Sequence, residues 1–403
     1  LICLLPLALL TGPALPDIFM SVAGLLFLIT IILQKKFHYF TNKLTIIFLF
    51  FWIYLLINSI FSEYAIFSLK SSLFYFRFGL LVLCICYLLN TQKDFIDKFT
   101  NFLIFAFLIG IISGYYQYFF SETIFGAKSI YENRLLLLTS DQLLLGQFLS
   151  RLFPLLLALV LYRHERGSFF YCLIFIVFIL TDVLIYLSGE RTAFALLLLS
   201  TFLFLIFIKN FKIFRLFSII FSMLIIVWVS IVNIDIKQRN VDETISQLGI
   251  NSGERLHIFS PTHESHIFSG YKMFLDNPII GLGPNLFRKF CDDEKYNYDE
   301  LSCSTHPHNT YVQILSEIGI VGFLFILLLL ISVGYKFIKH SYILISKKNY
   351  HLSDYEICLL ACIACSLWPF FPTLNFFNNW INVVYFLPVG FLISKRFENI
   401  IEN

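Results

Sequence analysis

Long apolar runs separated by short polar connections dominate the chain, and most have the length of a bilayer crossing. A helix needs about 20 apolar residues to span the hydrocarbon core. On that measure spans fall at roughly 1–12, 17–34, 43–61, 66–90, 98–120, 142–162, 169–187, 192–208, 213–233, 309–333, 355–371 and 380–394. The pattern predicts an all-α integral membrane protein of about twelve transmembrane helices, interrupted by one long polar stretch. The organisation is therefore nine helices over 1–233, an external loop over 234–307, three helices over 308–394 and a tail over 395–403. Leu1–Leu10 reads as the remainder of a first spanning helix. No basic region precedes it and no small-residue cleavage pattern follows, so a signal peptide is not indicated.

The connections sort by charge. One set holds Lys35, Lys36, Lys43, Lys93, Lys98, Arg163, Arg166, Lys209, Lys212, Arg215, Lys336, Lys339, Lys347, Lys348, Lys395 and Arg396. The short loops of the other set hold little beyond Lys128, Arg134 and Arg191. Basic connections stay in the cytoplasm, which puts both termini inside and the long loop outside, in the periplasm of a two-membrane cell. Composition agrees: 58% of the 403 residues are hydrophobic and 14% charged, against about 25% charged in soluble domains. The basic residues are dispersed between apolar runs, so the net charge of +3 gives no nucleic-acid surface.

Several ionisable residues fall inside spans, where they must face protein or water. Lys70 and Arg77 lie seven apart on one face of the fourth span, Arg151 in the sixth and Asp182 in the seventh, while Asp141 marks the sixth span's outer end. Arg77 reads either as half of an internal salt bridge or as part of an anion site. The turn Ser188-Gly189-Glu190-Arg191-Thr192-Ala193 opens the eighth span. A helix start gathers free N–H groups and positive dipole, so Arg191 there suits an anion, or else snorkels to the interface.

The external loop carries five of the nine histidines: His257, His263, His266, His306 and, just past its end, His308. Ser260-Pro261 is a helix-start signal, and Ile267, Tyr271 and Phe274 then make an apolar stripe, predicting an amphipathic helix on the membrane surface that ends near Asn277-Pro278. Gly281-Leu282-Gly283-Pro284 lacks the third glycine and the strand–helix context of a dinucleotide fingerprint and reads as a turn.

Ser302–Gly322 runs from this loop into the tenth span, with Pro307 suited to the first helical turn. Asn309, Gln313 and Ser316 share a stripe with Glu317 beside it, placing His308 at the mouth of an embedded cavity; a helix cap with packing polars is the plainer reading. His306-Pro-His308 could ligate a metal, but no Cys or carboxylate follows at ligand spacing, so no metal is expected. Seven cysteines lie in apolar runs. Cys291 and Cys303 are the two in the external loop, and a disulfide between them is expected there, free thiols being the alternative.

His306–Gly319 (HPHNTYVQILSEIG), Ser188–Phe194 (SGERTAF), Lys272–Cys291 and Trp368–Trp380 (WPFFPTLNFFNNW) together resemble the O-antigen ligase/polymerase family. The resemblance covers nearly the whole chain. It implies a type C glycosyltransferase-like fold in a bacterial inner membrane, with the active site facing the periplasm. It also implies a metal-independent, inverting transfer without cofactor. The donor would be a polyprenyl (undecaprenyl) diphosphate-linked glycan, and the acceptor lipid A-core or a growing glycan. His308 matches the family's essential histidine and Arg191 its essential arginine. Lys70, Arg77 and Arg134 are candidates to share the diphosphate charge, with Asn309, Glu317 and His266 in support. Many members carry an Arg on the loop helix; here that helix offers His263, His266 and Lys272, with Arg255 upstream, and that role has no assigned residue. A polytopic transporter or flippase of lipid-linked oligosaccharide is the competing class. It too would want buried basic residues, but has no need of a histidine at an external helix start.

Overall fold

The computed structural model describes residues 1–131, 133–139, 142–162, 167–250, 256–347 and 351–394. Asp141, Arg163, Arg166, Arg255, Lys348, Lys395, Arg396 and the 395–403 tail lie outside the described residues. The principal helices are α1 (Leu5–Leu9), α2 (Ala14–Gln34), α3 (Lys43–Ile60), α4 (Ala65–Ser72), α5 (Phe76–Thr91), α6 (Phe95–Phe120) and α7 (Leu145–Tyr162). Then come α8 (Ser168–Leu187), α9 (Arg191–Phe207), α10 (Lys212–Val232), α11 (Pro261–Asp276), α12 (Thr310–Lys347), α13 (Asp354–Ser366) and α14 (Asn379–Ile393). The protein is an all-α integral membrane protein. Among the described residues eight segments are long and apolar enough to cross a membrane, counting α4 with α5, and α9 and α14 are shorter apolar helices. The first expected span is shorter than its apolar run, since α1 has five residues and stops before Gly12 at a positive φ of 101°. The eleventh ends at Ser366, ahead of Pro369, because the residue before a proline is pushed out of the helical region.

Helix α7 is the hub. Every residue from Leu145 to Val160 is buried, and α6, α8, α9 and α13 pack around it. It is still amphipathic, with Gly146, Gln147, Ser150, Arg151 and Pro154 along one stripe, so its polar side is covered by protein and not by lipid. Its one ion, Arg151, donates from Nε to Gln147 Oε1 at 2.9 Å and lies over the Tyr385 ring at 5.4 Å. On the far side α14 packs on α5, and α5 on α2.

Two of the in-span charges pair with each other or with a neighbour. Asp182 on α8 accepts both terminal nitrogens of Arg215 at 2.7 and 3.1 Å, with Thr201, Ser218 and Ser222 completing the network. Arg215 is 1% exposed, so its place among the inside loop charges is corrected: it lies within α10 and neutralises a buried carboxylate. Leaving either partner alone would cost about 3–5 kcal/mol. Arg77 lies 2.9 Å from Asp17 at the start of α2, and Asp17 also accepts from Asn379 at 3.3 Å.

Two helices break within segments the sequence reads as single spans. Between α4 and α5 the Trp52 indole donates to the carbonyls of Ser72 and Leu73 at 3.1 and 3.2 Å, covering groups the break sets free. In α12 the backbone turns at Gly319 to φ 65°, ψ −171°. Irregular backbone at membrane depth needs partners inside the protein, and the segment Pro278–Gly283 supplies them. Ile320 N and Val321 N donate to the carbonyls of Pro278 and Ile279, while Leu282 N and Gly283 N donate to those of Ser316 and Glu317. The Gly-Leu-Gly-Pro turn is thus a clasp on α12. A Cβ at Gly319 would stand 2.2 Å from Ile279 O.

Outside the bundle, α11 is N-capped by Ser260, whose hydroxyl accepts from His263 N. Its buried face is Ser265, His266, Ser269, Gly270 and Met273. Ser265, Ser269 and Gly270 let it lie on α12, where a Cβ at Gly270 would meet Val312 at 2.6 Å. Tyr271 of the apolar stripe faces away, 51% exposed. Met273, Leu286, Phe287, Phe290 and Tyr296 form a small core of their own, and Cys291 is disulfide-bonded to Cys303 beside it. The wedge at Gly319 gives a direct test. Gly319→Ala should lower stability by about 1–3 kcal/mol through a positive φ and backbone contact, seen as a reduced unfolding midpoint in detergent. An unchanged midpoint would mean the clasp carries no such constraint.

Candidate active site

The site is built on the residues leading into α12. The helix begins at Thr310, not at Pro307, because Asn309 caps it: its Oδ1 accepts from Tyr311 N at 3.0 Å and Val312 N at 3.1 Å. Before the cap, His308 takes a left-handed φ of 52°, a conformation a branched-free polar residue reaches only when its surroundings hold it. Here Thr373 N donates to His308 O at 2.8 Å, and Asn309 Nδ2 donates to Pro369 O at 3.1 Å. The loop between α13 and α14 therefore fixes the histidine.

The polar stripe beyond the cap faces protein. Gln313 donates to Glu317 Oε2 at 3.0 Å and Asn375 Oδ1 at 2.8 Å, and accepts from Phe376 N at 2.9 Å. The Glu317 carboxylate also accepts from Asn285 N at 3.1 Å and Phe287 N at 2.9 Å. Asn309, Gln313, Ser316 and Glu317 are all buried. Glu317 supports the site from behind, by holding the 285–287 turn.

Four imidazoles meet at the helix start. The His308 ring lies 4.0 Å from His306, 4.9 Å from His263 and 5.3 Å from His266, centroid to centroid. His306 Nε2 donates to Thr373 O at 3.1 Å, leaving Nδ1 to accept from Thr305 Oγ1 at 2.9 Å. His263 Nδ1 bonds Ser260 Oγ at 2.9 Å, and His308 Nε2 stands 3.3 Å from Ser304 Oγ. Burial comes first in pushing their pKa values down, to about 4 for His263 and His306 and further for His308, with neighbouring histidines next for His263 and His308 and the charge of Arg288 next for His306. His266 is lowered by burial against the pull of Asp299. All four are neutral at pH 7, and a neutral imidazole is the form that accepts a proton.

Arg191 opens α9 and reaches toward the same face. Its terminal nitrogens donate to Thr244 Oγ1 at 3.2 Å and Gln247 Oε1 at 2.9 Å, both uncharged. Its charge helps depress His263, and it sits within electrostatic reach of Arg134 and Arg239. Arg239 pairs with Glu243. Arg134 lies by Glu190, a buried carboxyl that accepts from Gly146 N at 2.7 Å and that burial pushes up to about 7. The turn needs its glycines: Gly189 has φ 66° and Asn133 O against it, and a Cβ at Gly146 would meet Ser188 Oγ at 2.6 Å.

The structure thus gathers His308, His266, Asn309 and Glu317 at one helix start, and Arg134 with Arg191 at the adjoining turn. The Arg77 guanidinium is held by Asp17, the internal pairing of the two readings its position left open. Lys70 is exposed on α4 and no described contact draws it to the histidines. Three residues escape the sequence reading. Thr373 fixes His308 and His306. Arg239 faces Arg191. Arg288 donates to Asn285 Oδ1 at 3.1 Å, and its charge is felt by His306. No spacing rule finds them, since each comes to the site from a distant segment.

Residues 173–327 match a family model described as O-antigen ligase. That similarity spans 155 of the 403 residues. The matched segment runs from α8 into α12 and holds Arg191, Arg239, the loop histidines, the disulfide and His308. No curated protein matches the chain.

Depressed histidine pKa values carry a stability signature. The unfolded chain protonates histidine near pH 6.5, whereas folded His263 and His306 resist until about pH 4. Below pH 6.5 the unfolded state binds more protons, so this contribution falls as pH drops from about 6.5 toward 4 and is complete above 6.5. Glu190, raised to about 7, works in the opposite direction, so the test is a difference between proteins. His263→Gln should lose less stability than the parent between pH 7 and pH 4.5 in thermal unfolding. Parallel curves would show that His263 carries no such penalty.

Proposed function

We propose that the protein moves a glycan from polyprenyl diphosphate to a sugar hydroxyl at the external membrane face, with His308 as base and Arg191 as the grip on diphosphate. The observation that carries this is a neutral, buried His308 packed on His263, which feels the charge of Arg191, an arginine hydrogen-bonded among the described residues to the uncharged Thr244 and Gln247. The acceptor oxygen attacks the anomeric carbon as the bond from that carbon to the phosphate oxygen breaks, with inversion. The hydroxyl proton passes to His308, and the bonding pair leaves on the diphosphate, where guanidinium groups stabilise the developing charge. Arg134, Arg239 and Arg288 add positive potential around that position. The incoming diphosphate raises the depressed histidine pKa values, since a nearby opposite charge favours the protonated form, so donor binding itself prepares the base. No nucleotide sugar and no divalent metal is required. His263 and His266 stand on the loop helix where many family members place an arginine, and become cationic when the donor binds.

Ligase and polymerase share this chemistry. Lipopolysaccharide gels of a deletion strain separate them: a ligase null accumulates lipid-linked polymer off the core, a polymerase null leaves a core capped by one repeat.

His308→Ala should abolish transfer in reconstituted liposomes while inserting normally; full activity would remove His308 from the mechanism. Arg191→Lys should lose most activity, because a point charge does not reproduce a bidentate grip, and wild-type turnover would favour an interfacial role for Arg191. Activity should persist in excess EDTA, and loss with rescue by a divalent ion would point to a metal on the histidines.

A further inference from the structure

The transfer mechanism makes no use of Arg151, and the fold leaves its charge unbalanced. Arg151 lies inside the hub helix α7, about 9 Å along the axis from Leu145 at 1.5 Å per residue, and is 4% exposed. A guanidinium stays protonated in proteins. Burial therefore puts a full positive charge where an ion is costly unless it is paired. The other buried arginine, Arg215, meets Asp182, and the half-buried Arg77 meets Asp17. Among the described residues no carboxylate pairs with Arg151. Its Nε donates to Gln147 Oε1 at 2.9 Å, and its buried Nη1 has no partner.

The groups around it are short of acceptors. Arg151 lies over the Tyr385 ring of α14 at 5.4 Å from the centroid, and the phenol oxygen is buried without a partner. Ser150, the preceding residue on the polar stripe of α7, is 1% exposed, and its hydroxyl has no partner either. Cys365 of α13 feels the same charge, with its thiol turned to Leu196 O at 3.8 Å. Hydroxyls and a thiol offer protons but no negative charge. The one acid on this chain of bonds is Glu190, reached through Gln147, and its charged neighbour is Arg134.

We propose that Arg151 and the Tyr385 hydroxyl hold a small monovalent anion of the chloride class between α7, α13 and α14. One guanidinium balances one negative charge, so a halide neutralises the site where a diphosphate would overcharge it. The ion accepts from Arg151 Nη1 and Tyr385 Oη together, and bonds to an ion in a water-poor interior are strong. It also steadies the catalytic turn. With Nη1 drawn to the anion, Nε keeps Gln147 oriented, and Gln147 bonds the Glu190 carboxyl that precedes Arg191. This site stands apart from the transfer reading and does not depend on it.

Thermal unfolding of the purified full-length protein in detergent tests it, with chloride replacing gluconate at constant ionic strength. The midpoint should rise saturably with chloride or bromide. Arg151→Gln should abolish that rise and, in gluconate alone, unfold at a higher temperature than the parent, because it removes an unpaired buried charge. Tyr385→Phe should move half-saturation to about tenfold higher chloride through loss of one hydrogen bond to the ion, with the saturated midpoint near the parent value. Crystals soaked in bromide should show anomalous density at the Arg151 guanidinium. A parent indifferent to chloride, a rise that never saturates or that Arg151→Gln retains, or bromide bound only elsewhere would overturn the proposal. Pyrophosphate acting as well as chloride would also overturn it, by making Arg151 part of the diphosphate site.

Discussion

One carboxylate holds the external loop against the membrane bundle. Glu317, buried in α12, accepts the amide protons of Asn285 and Phe287 and the side chain of Gln313. Two residues on, Gly319 breaks the helix, and the 278–283 segment completes the backbone pairing that the break leaves open. A buried carboxylate without those donors would cost several kcal/mol, so the loop and the helix are stable only together. Everything the loop carries toward His308, including α11 and Arg288, depends on that junction.

The second constraint is electrostatic. Four histidines share one buried pocket, and each makes its neighbours harder to protonate. The arginines of the adjoining turn keep the same sign of potential nearby, with Arg191 hydrogen-bonded to neutral groups. Such a pocket rests uncharged on one side and under-compensated on the other, and an anion relieves both. On the proposed reading, the binding of a diphosphate and the readying of a base are one event.

Hydrophobic period and charge asymmetry made most of the fold legible, because apolar length and loop charge are local properties. The His308 helix start, the Arg191 turn and the α11 boundaries were equally readable, through Asn309, Gly189 and Ser260-Pro261. Breaks were not. Gly319 sits in an apolar run, and only the distant Gly281 clasp makes its turn affordable. Arg215 illustrates the same limit: at a span end it counts as an inside charge, yet a carboxylate on another helix draws it into the core. Thr373, Arg239 and Arg288 reach the site from three separate segments, and proximity of that kind is a tertiary fact that no single stretch encodes.

Coupling of donor binding to protonation is the claim on which the account turns. Calorimetric titration of the reconstituted protein with polyprenyl diphosphate at pH 7, in buffers of different ionisation enthalpy, measures it directly. The account predicts net proton uptake on binding, diminished when His263 and His266 are replaced by Gln and kept when His308 is replaced by Ala, with affinity rising as pH falls from 8 to 6. Tight binding with no proton uptake and no pH dependence would contradict it.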